Sequence, residues 1–307
     1  MLKVILRRLI EAVPVLFVIV TMTFFMIRLA PGGPFDSEKA VSPLIKERLE
    51  AYYHMDKPLV AQYADYLSRL AHGDLGPSFK NASYSVNELI GFSFKVSLEL
   101  GAYGLCVALA IGLTAGIVAS LRPNTVQDYL AMSFSMIGIC VPNFVLGPII
   151  VLVFGLWLGW FPVSGWDHPI DKVLPSLTLG MMYAAYIARL SRAGMLEVLS
   201  NDFVRTARAK GLSETRVVLR HALRGGIAPV VSFLGPATAG MLTGSFVVET
   251  IFQIPGLGRH FVEAAFNRDY TMIMGTVLVY ATLILFLNLF VDMFLIWLDP
   301  RLRDARG

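Results

Sequence analysis

The chain has 307 residues, 56% of them apolar and only 16% charged, and its mean hydropathy of +0.64 exceeds what a soluble globule of this size can bury. The surplus has to face lipid, which excludes a soluble domain. The formal charge of +4 gives no reason to invoke nucleic acid, because membrane proteins collect Lys and Arg through the rule that orients their helices.

Residues 1–30 begin with Lys3, Arg7 and Arg8 ahead of an apolar run. A secretory signal peptide starts the same way, but this run is long and no small-x-small cleavage site interrupts it, so it reads as a retained first helix. Runs of roughly 20 apolar residues cross a hydrocarbon core of about 30 Å as helices that satisfy their own backbone hydrogen bonds. They place spans at about 9–30, 93–120, 129–158, 173–193, 227–250 and 272–298. The expected fold is therefore all-α, a polytopic membrane bundle of about six helices forming a single domain over 1–307. An even number puts both termini on one side. Lys and Arg concentrate at the termini, near residue 122 and in 194–226, so that side is cytoplasmic.

The segment 31–92 is too polar to span and reads as an extracytoplasmic insert with helices of its own. Ser42-Pro43 starts one, with Leu44, Leu49, Tyr52 and Tyr53 near one face. Asp56-Lys57-Pro58 starts another, carrying Leu59, Tyr63, Tyr66, Leu67 and Leu70 and stopped by Gly73. Ser85 and Glu88 form a capping-box pattern ahead of the second span. The aromatic faces of this cap either pack on the bundle or touch cargo.

Polar residues within or near the spans are Glu99, Asn143, Glu249, Asn288 and Asp292. They are costly in lipid and should face protein or water, either lining a path or bonding helix to helix. Pro142 and Pro175 should kink their spans. Gly112 with Gly116, and Gly240 with Gly244, permit close helix contact, within the chain or against a partner. Cys106 and Cys140 lie in apolar runs without metal spacing and read as ordinary buried thiols.

In the segment 194–226, Asn201-Asp202 can cap a short helix through Phe203, Val204, Arg205, Thr206, Ala207, Arg208, Ala209 and Lys210, with Gly211 as its stop before Leu212. Ser213 can cap a second helix that Gly225-Gly226 interrupts. Two readings stay open on the residues alone. One is a short basic helix in a tight turn on which another protein pushes; the other is a solvated basic loop that follows the charge rule. No GxxxxGK[ST], HExxH or GxSxG run occurs, and the five histidines show no metal spacing, so neither ATP binding by a phosphate loop nor an enzymatic role has support.

The run Arg205-Thr206-Ala207-Arg208-Ala209-Lys210-Gly211-Leu212, followed by Leu219-Arg220-His221-Ala222-Leu223, resembles the loop signature of binding-protein-dependent ABC importer permeases, in the form found in peptide and nickel transporters. The stretch Glu249-Thr250-Ile251-Phe252-Gln253-Ile254-Pro255-Gly256-Leu257-Gly258 and the run Asn267-Arg268-Asp269-Tyr270 resemble a second region typical of that subfamily. Leu29-Ala30-Pro31-Gly32 and Gly73-Asp74-Leu75-Gly76 add further matches. The likeness covers nearly the whole chain and is nearest to the B-type membrane subunits of oligopeptide permeases. Two departures stand out: Arg205 where many importers have Glu, and Gly225-Gly226 where peptide permeases often carry Pro.

The resemblance implies one half of a channel in the bacterial inner membrane that alternates between outward-open and inward-open states. It implies a homologous second permease, two cytoplasmic ATPase subunits and an extracytoplasmic peptide-binding protein as partners, with membrane lipid around them. ATP and Mg would sit on the ATPases, and this chain would bind no cofactor. The helix at 201–211 would be the coupling helix, docking in a groove of the ATPase. Phe203 and Ala207 can then offer an apolar contact while Arg205, Arg208 and Lys210 meet carboxylates. Dipeptide or nickel cargo are the alternatives within the family. Outside it, an ion-gradient transporter would use Glu99, Glu249 and Asp292 as carriers, although no inverted repeat is visible.

Overall fold

The structure, a computed structural model, describes residues 2–35, 43–81 and 83–298. In chain order the helices are α1 (Leu2–Leu29), α2 (Pro43–Tyr52), α3 (Leu59–Ala71), α4 (Val86–Leu121), α5 (Val126–Cys140), α6 (Asn143–Ile150), α7 (Val173–Leu199), α8 (Asp202–Ala209), α9 (Glu214–Arg216), α10 (Leu223–Gly226), α11 (Ala228–Gly244), α12 (Phe246–Ile251), α13 (Leu257–Asn267) and α14 (Tyr270–Leu298). Among the described residues five stretches are long and apolar enough to cross a membrane: Ile5–Leu29, Val86–Leu121, Pro169–Leu199, Ala228–Ile251 and Tyr270–Phe290. A sixth exists if Val126–Cys140 and Asn143–Trp157, bent by 111° across their break, count as one. Pro142 occupies that break as the N-cap of α6, where its missing N–H and the extended backbone it imposes on Val141 end α5. Pro175 behaves otherwise. It lies in the first turn of α7, where no amide bond is lost, so it starts this helix and does not kink it.

The chain divides into two compact units, residues 1–96 with 255–286 and residues 97–254 with 287–306. In the first unit, α1 exposes Ile10, Val13, Phe17, Met22 and Met26, the pattern of a helix facing lipid. Thr21 Oγ1 lies 2.5 Å from the Tyr63 hydroxyl, and the Phe24 ring meets Tyr63 and Tyr66. The aromatic face of α3 thus packs on α1, while Tyr52 of α2 stays exposed. Ser42 lies outside the described residues. α3 ends in a Schellman turn: Gly73 has φ +75°, its N–H donates to Leu70 O, and that of Asp74 to Arg69 O. The Ser85 N–H donates to Glu88 Oε2 at 2.8 Å and the Glu88 N–H to Ser85 Oγ at 3.3 Å, a capping box that starts α4 at Val86, earlier than the expected 93. Val86, Ile90, Leu257, Ala264 and Met272 form the core of this unit. Asp269, buried, accepts from Ser78 Oγ, the Phe79 N–H and the Met272 N–H, tying the insert to the start of α14.

The second unit is organised around α7. Its inward positions include the small residues Ser176, Gly180, Ala184, Ala185, Ala188, Ser191 and Gly194, spaced so that neighbouring backbones can approach. A Cβ at Gly112 would lie 2.7 Å from Ala184 O and one at Gly116 2.5 Å from Ala188 O. The first glycine pair therefore packs α4 on α7 within the chain. A Cβ at Gly240 would lie 2.6 Å from the Tyr183 hydroxyl, again an internal contact, while the surroundings of Gly244 lie outside the described residues. On α5, a Cβ at Gly138 would come within 2.1 Å of Met181 O. Cys106 and Cys140 are exposed on the chain's surface, contrary to the expectation of burial.

A candidate coupling surface between two spans

α8 follows α7 after two residues. Asn201 occupies its N-cap in extended conformation without a side-chain bond, and the Asn201 carbonyl takes the first helical amides, from Val204 and Arg205. At the other end Gly211 has φ +77°, its N–H donating to Arg208 O and that of Leu212 to Ala207 O. This is a second Schellman turn, and only glycine adopts that backbone without strain. Neither Asn201 nor Ser213 caps through its side chain. Gly225-Gly226 does not interrupt the following segment either. α10 runs through Gly226, after a wider π-helical stretch at Val217–Ala222, and the glycines allow close approach instead. A Cβ at Gly194 would lie 2.3 Å from Gly226 O, and one at Gly226 2.3 Å from Met195 Sδ.

One face of α8 is fixed from inside. Val204, Ala207 and Val217 form a small core with Val198, Leu199 and Leu212 packed on it. Met195, Val218 and Ala222 form another beneath it. Arg208 reaches back across the turn, its Nε donating to Glu214 Oε1 at 2.8 Å and its Nη2 to Oε2 at 3.2 Å. The outer face carries Phe203, half exposed at 50%, with Arg205, Thr206, Ala209 and Lys210 also exposed. Ala207 is 6% exposed, so the apolar contact expected from Phe203 and Ala207 together falls to Phe203 alone. Helical spacing puts 203 and 207 on one side, yet the hydrophobic partner for Ala207 is supplied by Val217 of the same segment.

The polar residues of the spans whose side chains are described sit in separate surroundings. Glu249 is fully buried, and its Oε1 accepts from Ser97 Oγ and Ser245 Oγ, both at 2.7 Å. Glu99 takes Lys172 Nζ at 2.5 Å and Trp166 Nε1 at 3.1 Å, with the Lys172 ammonium 5.1 Å above the Trp166 ring. Asn143 stands at the start of α6, its Oδ1 buried without a hydrogen-bond partner, and Asn288 is exposed on α14. The side chain of Asp292 lies outside the described residues. Sequence reasoning passed over Asp128, 2% exposed, which holds Arg192 in a bidentate pair at 2.8 and 2.7 Å and accepts the Asn124 N–H. Asp128 stands at the start of α5 and Arg192 in the last turns of α7, a separation that no local pattern reveals. A carboxylate and a guanidinium near the same membrane face are the signal that could have found them.

Residues 112–304 match the family described as binding-protein-dependent transport system inner membrane component, and residues 1–100 match the N-terminal region of such components. Among curated relatives, the oligopeptide transport system permease protein OppB of Salmonella typhimurium is 47% identical over 305 residues, covering 99% of this chain and 100% of the relative. The protein of the same name from Escherichia coli K12 is 46% identical with equal coverage. The dipeptide transport system permease protein DppB of Bacillus subtilis is 44% identical over 94% of each chain. Two solved structures share the fold. An amino acid ABC transporter aligns at TM-score 0.52 with 18% identity over 68% of this chain and 93% of that one. The MetNI methionine ABC transporter in inward-facing form aligns at 0.57 with 17% identity over 67% and 94%. A multi-pass helix bundle with a short basic helix pinned between two spans, and near-complete alignment to such proteins, place this chain in the family of inner-membrane components of binding-protein-dependent transport systems.

Proposed function

We propose that the chain is the membrane-spanning subunit of an ATP-driven importer of oligopeptides, that it forms half of an alternating-access path, and that α8 is where the ATPase pushes. The near-full-length likeness to oligopeptide permeases carries the cargo reading. For the coupling role the supporting observation is the two-sided character of α8: an inner face packed on the end of α7 and on the π-helical stretch after Ser213 through Val204, Ala207 and Val217, and an outer face of Phe203 ringed by Arg205 and Lys210. A helix about 12 Å long with one half-exposed aromatic and a basic rim suits a shallow acidic groove. ATP and Mg reside on two separate cytoplasmic ATPase subunits, and a homologous second permease and an extracytoplasmic binding protein complete the assembly. Both termini lie on the cytoplasmic side of the inner membrane, with 31–92 outside.

The test uses Phe203→Asp combined with Arg205→Glu in the complete transporter, reading peptide uptake and recovery of the ATPases with the tagged permease. Both substitutions lie on the outer face and leave the inner core alone. Loss of uptake by about tenfold or more, with loss of ATPase recovery, is the expected result. Retention of both would sink the coupling reading. Uptake of peptides longer than two residues in preference to dipeptides is expected of the wild type, and the reverse preference would assign the cargo to the dipeptide class.

A further inference from the structure

A cavity of about 310 Å³ opens in the first unit between the end of α1, α3 and the 75–79 turn, with Arg28, Arg69, Tyr66, Tyr53 and Phe79 among its walls. Arg28 is the unusual member. Its Nε donates to Gln62 Oε1 at 3.1 Å and its Nη1 points at Met274 Sδ at 3.6 Å. The guanidinium carbon stands 3.6 Å over the Phe24 ring. Among the described residues no carboxylate pairs with it. A half-buried cation held by an amide, a thioether and the faces of the Phe24 and Tyr270 rings, the latter 5.7 Å away, has hydrogen-bond and ring partners but no ionic one. The hydroxyl of Tyr66, on the same wall, is buried with no hydrogen-bond partner. Burial pushes it up to about 12, so it stays a donor. Asp65, the nearby acid on the rim, is engaged by Lys57 at 2.9 Å, which holds its carboxyl below the usual range and leaves Arg28 without a counter-ion.

We propose that this cavity is a carboxylate-binding subsite for the C-terminal end of the transported peptide, with Arg28 and the Tyr66 hydroxyl as donors and the Tyr53 and Phe79 rings, packed on each other with centroids 4.6 Å apart, as the apolar wall beside the terminal side chain. A guanidinium matches a carboxylate in a two-point geometry, and the volume suits one terminal residue and part of the next. The subsite rests on the peptide-import reading and deepens it: the path would carry a weak polar anchor at the end of its first helix.

The experiment compares a tripeptide with its C-terminal amide on the purified complete transporter lacking the binding protein, by equilibrium binding, and in parallel by ATP-dependent uptake in cells. The wild type should bind the free carboxylate about tenfold more tightly than the amide. Arg28→Gln should abolish that difference, bringing the acid down to the affinity of the amide, and Tyr66→Phe should reduce it several-fold. Should Arg28→Gln fail to accumulate in the membrane, Tyr66→Phe and Arg69→Gln carry the same comparison. Equal binding of acid and amide by the wild type would overturn the proposal. So would an Arg28→Gln variant that loses affinity for the binding protein while lowering uptake of acid and amide equally, since the carboxylate would then belong to that protein. Displacement by inorganic phosphate but not by the tripeptide would also overturn it. Absence of any ATP-dependent peptide uptake by the wild type is a different failure, that of the import function itself.

Discussion

Gly138 shows how narrowly single residues are fixed where α5 crosses α7. An added Cβ would meet the Met181 carbonyl oxygen at 2.1 Å and its carbon at 2.3 Å, both backbone atoms with no rotamer to yield, so one helix has to move. Gly91, on α4, has nothing within 4 Å of its Cβ position. Gly138→Ala should therefore destabilise the purified protein by about 1–3 kcal/mol, whereas Gly91→Ala should be neutral or slightly stabilising through helix propensity. Thermal unfolding of the two variants in detergent reads the difference, and equal midpoints would refute the contact. Nothing in the sequence separates these two glycines, because the distinction lies in which helix is opposite. The same holds for Glu249. Its cost in lipid marked it as facing protein, but its serine partners at 97 and 245 are 152 and 4 residues away and only the first requires the fold. Pro175 departs from its expected kink for a local reason: in the first turn of α7 a proline loses no amide bond, and hydropathy does not fix the start of a helix to within a turn.

At the scale of the element, α8 was legible at its ends and opaque in its orientation. Gly211 marks the stop because a left-handed residue is needed there, and an amphipathic octet with Asp202 in its first turn complements the helix dipole. Which of its apolar residues would be hidden was not readable, since the decision belongs to Val217, ten residues beyond Ala207 along the chain. Val204→Ala opens a void in a fully buried position and should loosen the loop by about 2 kcal/mol. Gly211→Ala meets no atom within 4 Å and is charged only the left-handed backbone, about 1 kcal/mol. Limited proteolysis within 200–215 should accelerate in both variants, more in the first, while Phe203→Ala leaves the cleavage rate at the wild-type level. A faster rate in Phe203→Ala than in Val204→Ala would show that the inner and outer faces have been exchanged.

For the whole molecule the sequence was most informative where the solvent is least forgiving. Lipid demands continuous apolar helices, so five of the spans appear close to their expected positions, and the exception is the pair α5 and α6, where the 111° elbow divides what hydropathy alone presents as one run. The pairing of helices was not readable, since small residues on α4, α5 and α7 could have faced a second permease as easily as each other. The structure directs Gly112, Gly116 and Gly138 inward, which leaves α1 and α14 as broad apolar surfaces, with Phe17, Met26, Phe286 and Phe290 all exposed. Expressed without its partner permease, the chain should fall several-fold in membrane abundance, and co-expression of that partner should restore it; unchanged abundance would mean that lipid alone covers these faces. The contact of Gly194 with Gly226 has a consequence of another kind. Because the backbone leaves and re-enters the bundle at nearly the same point, the segment between these glycines is a loop with coincident ends, a cassette that can be lifted out without parting the helices on either side. Exchanged for the corresponding segment of another permease with both glycines kept, it should carry the choice of ATPase with it and leave peptide selection where it was. A chimera that recruits its old ATPase would locate that choice elsewhere in the chain.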